Sequence, residues 1–184
     1  LVQSGLKAVH DTDSHIKTMI HIDKGGDNGA SRAFYDQLIK DNGVSDFDII
    51  GLSYYPFWHG NMQAMQQNIN DLSARYNKDV IIVETAFGYT NENFDDMKNP
   101  YDAQAEHVGG FRSTPQGQAT GLRTVMASLA DVPNGRGIGM FYWEPDWYAV
   151  PGAGAFKDKG DEWDNLAMFD KNGKALESWQ VFND

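Results

Sequence analysis

A carboxylate that directly follows an apolar run is a candidate for catalysis, because a rigid strand can hold it while burial tunes its reactivity. The plainest case is the stretch DVIIVETAFGYT at residues 79–90, in which four branched apolar residues lead into Glu84. In a crevice, the carboxylate of Glu84 would be a catalytic group. The alternative roles for such a residue are an exposed charge at a strand end and a helix cap.

Other apolar runs of the sequence also end in polar or aromatic side chains. These side chains are His21 and Asp23 after the first run, Ser53, Tyr54 and Tyr55 after the second, and Trp143 and Glu144 after the fourth. Aromatic rings flanked by carboxylates suit sugars, whose C–H faces are apolar while their hydroxyl groups need acceptors. Single rings more often belong to a core, but Trp58 and Trp147 lie among polar and turn residues, which favours ligand contact.

Hydrophobic periodicity predicts the elements that position these side chains. The predicted strands are residues 17–22, 47–52, 80–83 and 138–142, and the predicted helices are residues 28–42, 62–76 and 119–129. Four β/α units in succession imply an α/β fold with parallel strands and right-handed helical crossovers. Because the carboxyl ends of parallel strands meet at one edge, we expect the strand-end residues to converge on one crevice.

Composition excludes several classes of protein. The 184 residues suit one domain, and 15 basic against 26 acidic residues give a net charge of −11, which argues against nucleic acid or an anionic membrane as a partner. No cysteine is present, and no apolar run approaches the roughly 20 residues of a membrane span. The pair His21 and Asp23 has no further ligand at zinc spacing, and the glycines at residues 25–29 lack a P-loop lysine.

Several longer motifs closely resemble one family, that of the arabinogalactan endo-β-1,4-galactanases, glycoside hydrolases that cleave the galactan side chains of pectin. The motifs are DFDIIGLSYYPFWHG, VIIVETAFGYT and GMFYWEPDW, with LKAVHDTDSHIKTMIHIDKGG near the start and WDNLAMFDKNGKAL near the end. The resemblance implies a (β/α)₈ TIM barrel with retaining chemistry. It further implies that residues 1–184 are a single partial catalytic domain, the C-terminal half with strands five to eight.

The resemblance also implies roles for individual residues. Glu84, at the end of the seventh barrel strand, would be the catalytic nucleophile, and Trp143 would line the subsite of the sugar under attack. The further substrate contacts would be His21, Asp23, Tyr54 and Tyr55, with one of the two tyrosines bonded to Glu84. Trp58 joins this group through its aromatic setting.

The chain departs from the family pattern in its length. A TIM barrel takes about 250 residues, and the general acid/base of the family is a glutamate in an Asn-Glu pair that ends the fourth strand. The single Asn-Glu pair of this chain, Asn91-Glu92, lies in the loop after Glu84. We therefore expect the acid/base upstream of this chain, with the N-terminal half of the barrel missing from it, and little hydrolysis by this half alone.

The resemblance further implies a calcium ion between the loops after strands seven and eight. Oxygen ligands at alternate positions suit calcium, and a solvated acidic loop is the alternative. The candidate ligands are Asn93, Asp95 and Asn99, with the carbonyl of Met97, and Asp158 or Asp161 from the last loop.

Two other functions stay open at this point. One is hydrolysis of another β-glycan, such as mannan or xylan, and the other is a non-catalytic sugar-binding half-barrel, whose binding would survive Glu84→Gln. The expected partner is β-1,4-galactan as a polysaccharide or oligosaccharide. Because that substrate is a polymer, we expect an extracellular or periplasmic location.

Overall fold

The computed structural model describes residues 1–152, 154 and 159–183. Four parallel strands form one sheet in the order β1, β2, β3, β4. The strands are β1 (Met19–Ile22), β2 (Ile49–Ser53), β3 (Asp79–Thr85) and β4 (Gly137–Tyr142). Each predicted strand is therefore present, with bounds shifted by at most two residues at its N-terminal end or its C-terminal end.

Helices flank the strands along the chain. The α-helices are α1 (Val2–Thr12), α2 (Asn28–Asp36), α3 (Pro56–His59), α4 (Met62–Tyr76), α5 (Ala103–Gly109) and α6 (Pro115–Ala130). Pro133–Gly135 and Glu177–Asn183 form 3₁₀ turns. Within the described residues, no helix is long and apolar enough to cross a bilayer.

The helix predicted at residues 28–42 differs from the observed one in its last turn. Helix α2 ends at Asp36, and Gln37–Asp41 continue as a π-helical turn. The carbonyl of Gln37 accepts hydrogen bonds from both the backbone and the side chain of Asn42, which widens this turn. The chain then leaves through Gly43, whose φ of 67° is the left-handed conformation expected of a glycine after a helix.

Side-chain oxygens cap the helices that carry the crossovers. Asp27 accepts from the amide of Ala30 at the start of α2, and Asn61 accepts from the amide of Ala64 at the start of α4. Such caps satisfy amide groups that have no partner within the helix. In the glycine-rich stretch 25–29, Gly25 and Gly26 therefore form a turn, and Gly29 lies in the capped first turn of α2.

The hydrophobic core lies between the sheet and its helices. Fully buried residues on the helix side are Ile50, Leu52, Val80, Ile82, Tyr35, Met65, Ile69, Leu72, Leu122 and Val125. The opposite face carries Met19 and Phe141, which are largely exposed. Gly51 shares that face, and a Cβ there would lie 2.7 Å from Sδ of Met19, so a larger residue would displace the Met19 side chain that packs over this position.

Candidate functional site

Glu84 is the penultimate residue of β3, next to a break in the regular pairing of β2 with β3. Ser53 pairs with Glu84 after a register shift that follows Leu52, and the amide of Tyr54 donates to the carbonyl of Glu84 at 2.8 Å. A bulge re-aims the side chains beside it. The sheet thus fixes the backbone of Glu84 while its side chain points out of the strand end.

Two side chains from neighbouring strands approach the Glu84 carboxylate. The hydroxyl of Tyr55 donates to Oε2 at 3.2 Å, and Nε2 of His21 lies 3.9 Å from Oε1. The same Nε2 is 2.7 Å from Oγ of Ser53, which fixes the His21 ring. With its side chain 24% exposed, Glu84 is sheltered but accessible from the crevice.

The two tyrosines after β2 have different roles. Burial raises the pKa of Tyr55, and the nearby charge of Glu84 raises it further, so Tyr55 keeps its proton and remains a donor. Tyr54 is fully buried, and its hydroxyl donates to the carbonyl of Gly60 at 2.7 Å. The structure therefore places Tyr54 in the core and brings Tyr55 alone to Glu84.

Asp23 lies on the loop after β1 with an exposed carboxylate. The Lys24 ammonium donates to it at 3.3 Å, which lowers the pKa of Asp23. The buried amide of Asn68 donates to the carbonyls of Lys24 and Gly25, both at 2.9 Å, and so holds this loop on α4. Asp23 is thus an ionised acceptor at the crevice rim with no contact to Glu84 itself.

Two exposed aromatic rings belong to segments that contact Tyr55 and the end of β3: Trp58 packs against the Tyr55 ring, and the amide of Trp143 donates to the carbonyl of Thr85 at 2.9 Å. Trp58 is 53% exposed and Trp143 is 39% exposed. The ring of Trp58 lies 5.2 Å from that of Tyr55 and 6.1 Å from that of Trp163, measured between centroids. Nε1 of Trp163 also donates to the carbonyl of Trp143 at 3.2 Å, so this buried ring supports both exposed ones. Sequence reasoning missed Trp163, since it follows no predicted strand.

A cluster of acidic side chains lies between the loops after β3 and β4. The amide of Asp161 donates to Oδ2 of Asp95 at 2.6 Å, and the Asn99 side chain donates to Asp164 at 2.5 Å. Burial raises the pKa of Asp161 to about 6, with the charges of Asp164 and Asp95 adding to the shift. Asp164, which sequence reasoning missed, is thus the link between the two loops.

The predicted calcium ligands are only partly assembled. Among the residues that the structure describes, Oδ1 of Asn99 is buried and has no hydrogen-bond partner, which suits a cation ligand. Asn93 is exposed and donates to the carbonyl of Asp95, and Asp158 lies outside the described residues. Among the described residues, no group of three or more His, Cys, Asp or Glu could hold a metal ion by itself.

Glu144 is the other carboxylate close to the crevice. Its φ of 50° is a left-handed conformation that side chains rarely adopt, and burial raises its pKa. The predicted Asn91-Glu92 pair is exposed in the loop after β3. Neither Glu144 nor Glu92 contacts the Glu84 carboxylate.

Comparison with known proteins agrees with a carbohydrate-active site. The profile of Glycosyl hydrolase family 53 matches residues 1–182. The chain belongs to glycosyl hydrolase family 53. An endo-beta-1,4-galactanase of Bacillus subtilis is 32% identical over 99% of this chain and 48% of its own length. An arabinogalactan endo-beta-1,4-galactanase of Cellvibrio japonicus is 35% identical over 95% of this chain and 45% of its own length.

A solved structure extends the comparison to the fold of this family 53 chain. The GH53 catalytic domain of Ignisphaera aggregans superposes with a TM-score of 0.91 and 36% identity, over 98% of this chain and 49% of that one. The xylanase Xyn10A of Cellvibrio japonicus, at 16% identity and a TM-score of 0.62, shares the fold alone. The predicted fold class, the C-terminal half of a TIM barrel, is confirmed. The family 53 chain spans about half the length of the curated relatives it matches.

Proposed function

We propose that this chain is the nucleophile-bearing half of a retaining endo-β-1,4-galactanase. The observation that carries the proposal is the Glu84 carboxylate at the end of β3, which accepts a hydrogen bond from Tyr55, with exposed Trp58 against the Tyr55 ring and exposed Trp143 bonded to the neighbouring Thr85 carbonyl. Membership of glycosyl hydrolase family 53 and the names of the Bacillus and Cellvibrio relatives support the substrate. The polymeric substrate supports an extracellular or periplasmic location and a role in pectin breakdown.

In this proposal Glu84 attacks the anomeric carbon of the galactosyl unit. A new bond forms between a carboxylate oxygen and that carbon while the glycosidic C–O bond breaks, giving a glycosyl-enzyme ester that water then hydrolyses. The Tyr55 hydrogen bond to Oε2 orients the carboxylate, and Oε1 stays available for attack. The rings of Trp58 and Trp143 pack against the apolar faces of the sugar. The carboxylate of Asp23 accepts from its hydroxyl groups, and the imidazole of His21 accepts or donates there.

The leaving oxygen needs a proton from a second carboxyl group, about 5–5.5 Å from the nucleophile in retaining enzymes. Among the described residues, neither Glu92 nor Glu144 contacts Glu84. We therefore assign the acid/base role to the part of the family domain that this chain does not cover, so that cleavage requires both halves of the barrel.

The nucleophile is tested in a complete catalytic domain that contains this chain. An activated 2-deoxy-2-fluoro-β-galactoside should label Glu84, because its good leaving group needs no acid, and mass spectrometry identifies the labelled peptide. Glu84→Ala should lose galactan cleavage and recover turnover of an aryl galactoside with azide, while Glu92→Gln should behave as the native protein. Labelling elsewhere, or galactan cleavage by Glu84→Ala, would refute the assignment. Products from galactan, mannan and xylan separate the substrate classes.

We also propose calcium as a structural ligand of the loops after β3 and β4. Oδ1 of Asn99 and the carboxylates of Asp95 and Asp161 supply hard oxygen donors, and Asp164 accepts from the Asn99 side chain and so orients it. These residues would hold the ion together with backbone or water oxygens, and the ion would offset the charge that the carboxylates share. Calcium should raise the melting temperature of the native chain and not that of Asp164→Asn, with Asp96→Asn as the exposed control. An equal response of native protein and Asp164→Asn would rule the site out.

A further inference from the structure

His59, the last residue of α3, folds back onto the start of its own helix. The amide of Tyr54 makes the last sheet-type hydrogen bond of β2, to Glu84, so the next amide, that of Tyr55, has no strand acceptor. Nδ1 of His59 accepts from this amide at 3.1 Å. The histidine therefore satisfies a buried backbone donor at the residue whose hydroxyl bonds the nucleophile.

This hydrogen bond defines the state of the imidazole. An amide N–H needs a lone pair, so Nδ1 carries no proton, and neutral His59 has its hydrogen on Nε2. The ring centroid lies 5.8 Å from that of Tyr55. A Cβ at Gly26 would lie 1.7 Å from the carbonyl oxygen of His59, which shows how closely the loop after β1 packs against α3. Neighbouring backbone thus holds His59 in place.

We propose that His59 is a positioning residue that holds the Tyr55 hydroxyl on Glu84 only while its imidazole is neutral. The inference rests on the proposed function, since it assigns the control of the same nucleophile. Protonation would place an N–H at Nδ1 against the N–H of Tyr55, and two donors repel. The peptide at Tyr55 would then rotate, and its hydroxyl would leave the Glu84 carboxylate.

The charged and titratable groups around His59 set the direction of its pH response. Burial lowers the pKa of His59, and the Lys24 ammonium opposes the imidazolium further. Asp23 on the same loop, a hydrogen bond to the Ser53 backbone and the charge of Glu84 on β3 raise the pKa, with the smaller combined effect. His59 therefore stays neutral at neutral pH. Folding depresses the pKa of His59. The stability that neutral His59 contributes is therefore fully present above its pKa in the unfolded chain, and it is lost as the pH falls through its pKa in the folded protein.

The first test is an NMR titration of the chain. Native protein labelled with ¹⁵N should show a neutral His59 ring with its proton on Nε2 and a Tyr55 amide shift that follows the His59 titration. In His59→Asn, Oδ1 stands near the position of Nδ1 because both are bonded to Cγ, and this acceptor cannot be protonated in the same range. The Tyr55 amide of this variant should not titrate. If the chemical shift of the Tyr55 amide in the native chain does not change as His59 titrates, the proposal is overturned.

The second test is kinetic and uses the complete catalytic domain. His59→Asn should label at the native rate at pH 7. At acid pH, its labelling rate should lack the decrease that protonation of His59 causes in the native protein. His59→Ala should label about 5- to 30-fold more slowly, since a buried donor is left unpaired, and His107→Asn on the exposed end of α5 should match the native protein. Equal slowing by Asn and Ala would refute the role of the acceptor. If labelling misses Glu84, the proposed function fails, while the NMR titration still reports on His59 and Tyr55.

Discussion

Replacing Gln118 by leucine should weaken the attachment of the loops after β3 and β4 to the rest of the fold. Gln118 is fully buried in α6, and its Nε2 lies 2.9 Å from the carbonyl of Phe87, 3.0 Å from the hydroxyl of Tyr142 and 3.0 Å from the carbonyl of Ala167. Its Oε1 accepts from the hydroxyl of Ser178. One side chain thus joins the chain after β3, the end of β4 and the last segment of the protein.

The expected loss of stability follows from the groups left without this partner. Leucine has a similar size but no polar atoms, so the carbonyl of Ala167 and the hydroxyl of Ser178 lose their bonds to Gln118. The hydroxyl of Tyr142 has one hydrogen and lies closer to the carbonyl of Leu166, at 2.6 Å, than to that of Phe87, at 3.1 Å, so the carbonyl of Phe87 also loses its donor. An unsatisfied buried group costs about 1–3 kcal/mol, so Gln118→Leu should lower the free energy of unfolding by about 3–9 kcal/mol.

Urea unfolding followed by circular dichroism measures this loss. The matched control is Gln116→Leu on the exposed side of the same helix, whose side-chain amide donates to Glu177 at 3.5 Å. The control should change the free energy of unfolding by no more than about 0.5 kcal/mol. A loss below about 1 kcal/mol in Gln118→Leu, or one equal to the control, would refute the argument that this network holds the loops.

Two further substitutions test the packing and the nucleophile. Tyr55→Phe removes the hydroxyl from the charged carboxylate of Glu84, so covalent labelling should slow by about 10- to 150-fold while unfolding changes little; an unchanged labelling rate would contradict the assigned hydrogen bond. Gly121→Ala places a Cβ 2.3 Å from the buried ring of Phe87, so it should destabilise by about 1–3 kcal/mol in urea unfolding. Its control, Gly5→Ala in open space on α1, should raise the free energy of unfolding by about 0.5–1 kcal/mol. An increase at both positions would contradict the expected clash, because the ring of Phe87 would then have moved to accommodate the methyl group.

The sequence pattern alone predicted the sheet and indicated Glu84 as a candidate catalytic carboxylate, while its role as nucleophile followed from the family resemblance. Alternation and apolar runs place the four strands, and helix α4 begins and ends where its three- and four-residue spacing predicts. Glu84 is found because it follows the longest branched run directly. These features are local, since the periods of strands and helices are set by neighbouring residues.

Short elements did not follow from the pattern. Helices α3 and α5 were not predicted, and they have only four and seven residues, too few for a helical period to stand out. Helix α3 is nevertheless the element that brings His59 back to the amide of Tyr55. The functional interest of His59 was therefore invisible until the turn around it was known.

The tertiary structure decided which of the strand-end residues meet. Neighbouring Tyr54 and Tyr55 look equivalent in sequence, yet the strand sends one ring into the core and the other towards Glu84, 29 positions away. Asp164 joins the loop after β3 through the amide of Phe94, 70 positions earlier. Contacts over such distances depend on sheet register and loop packing, which are properties of the whole fold and leave no period in the chain.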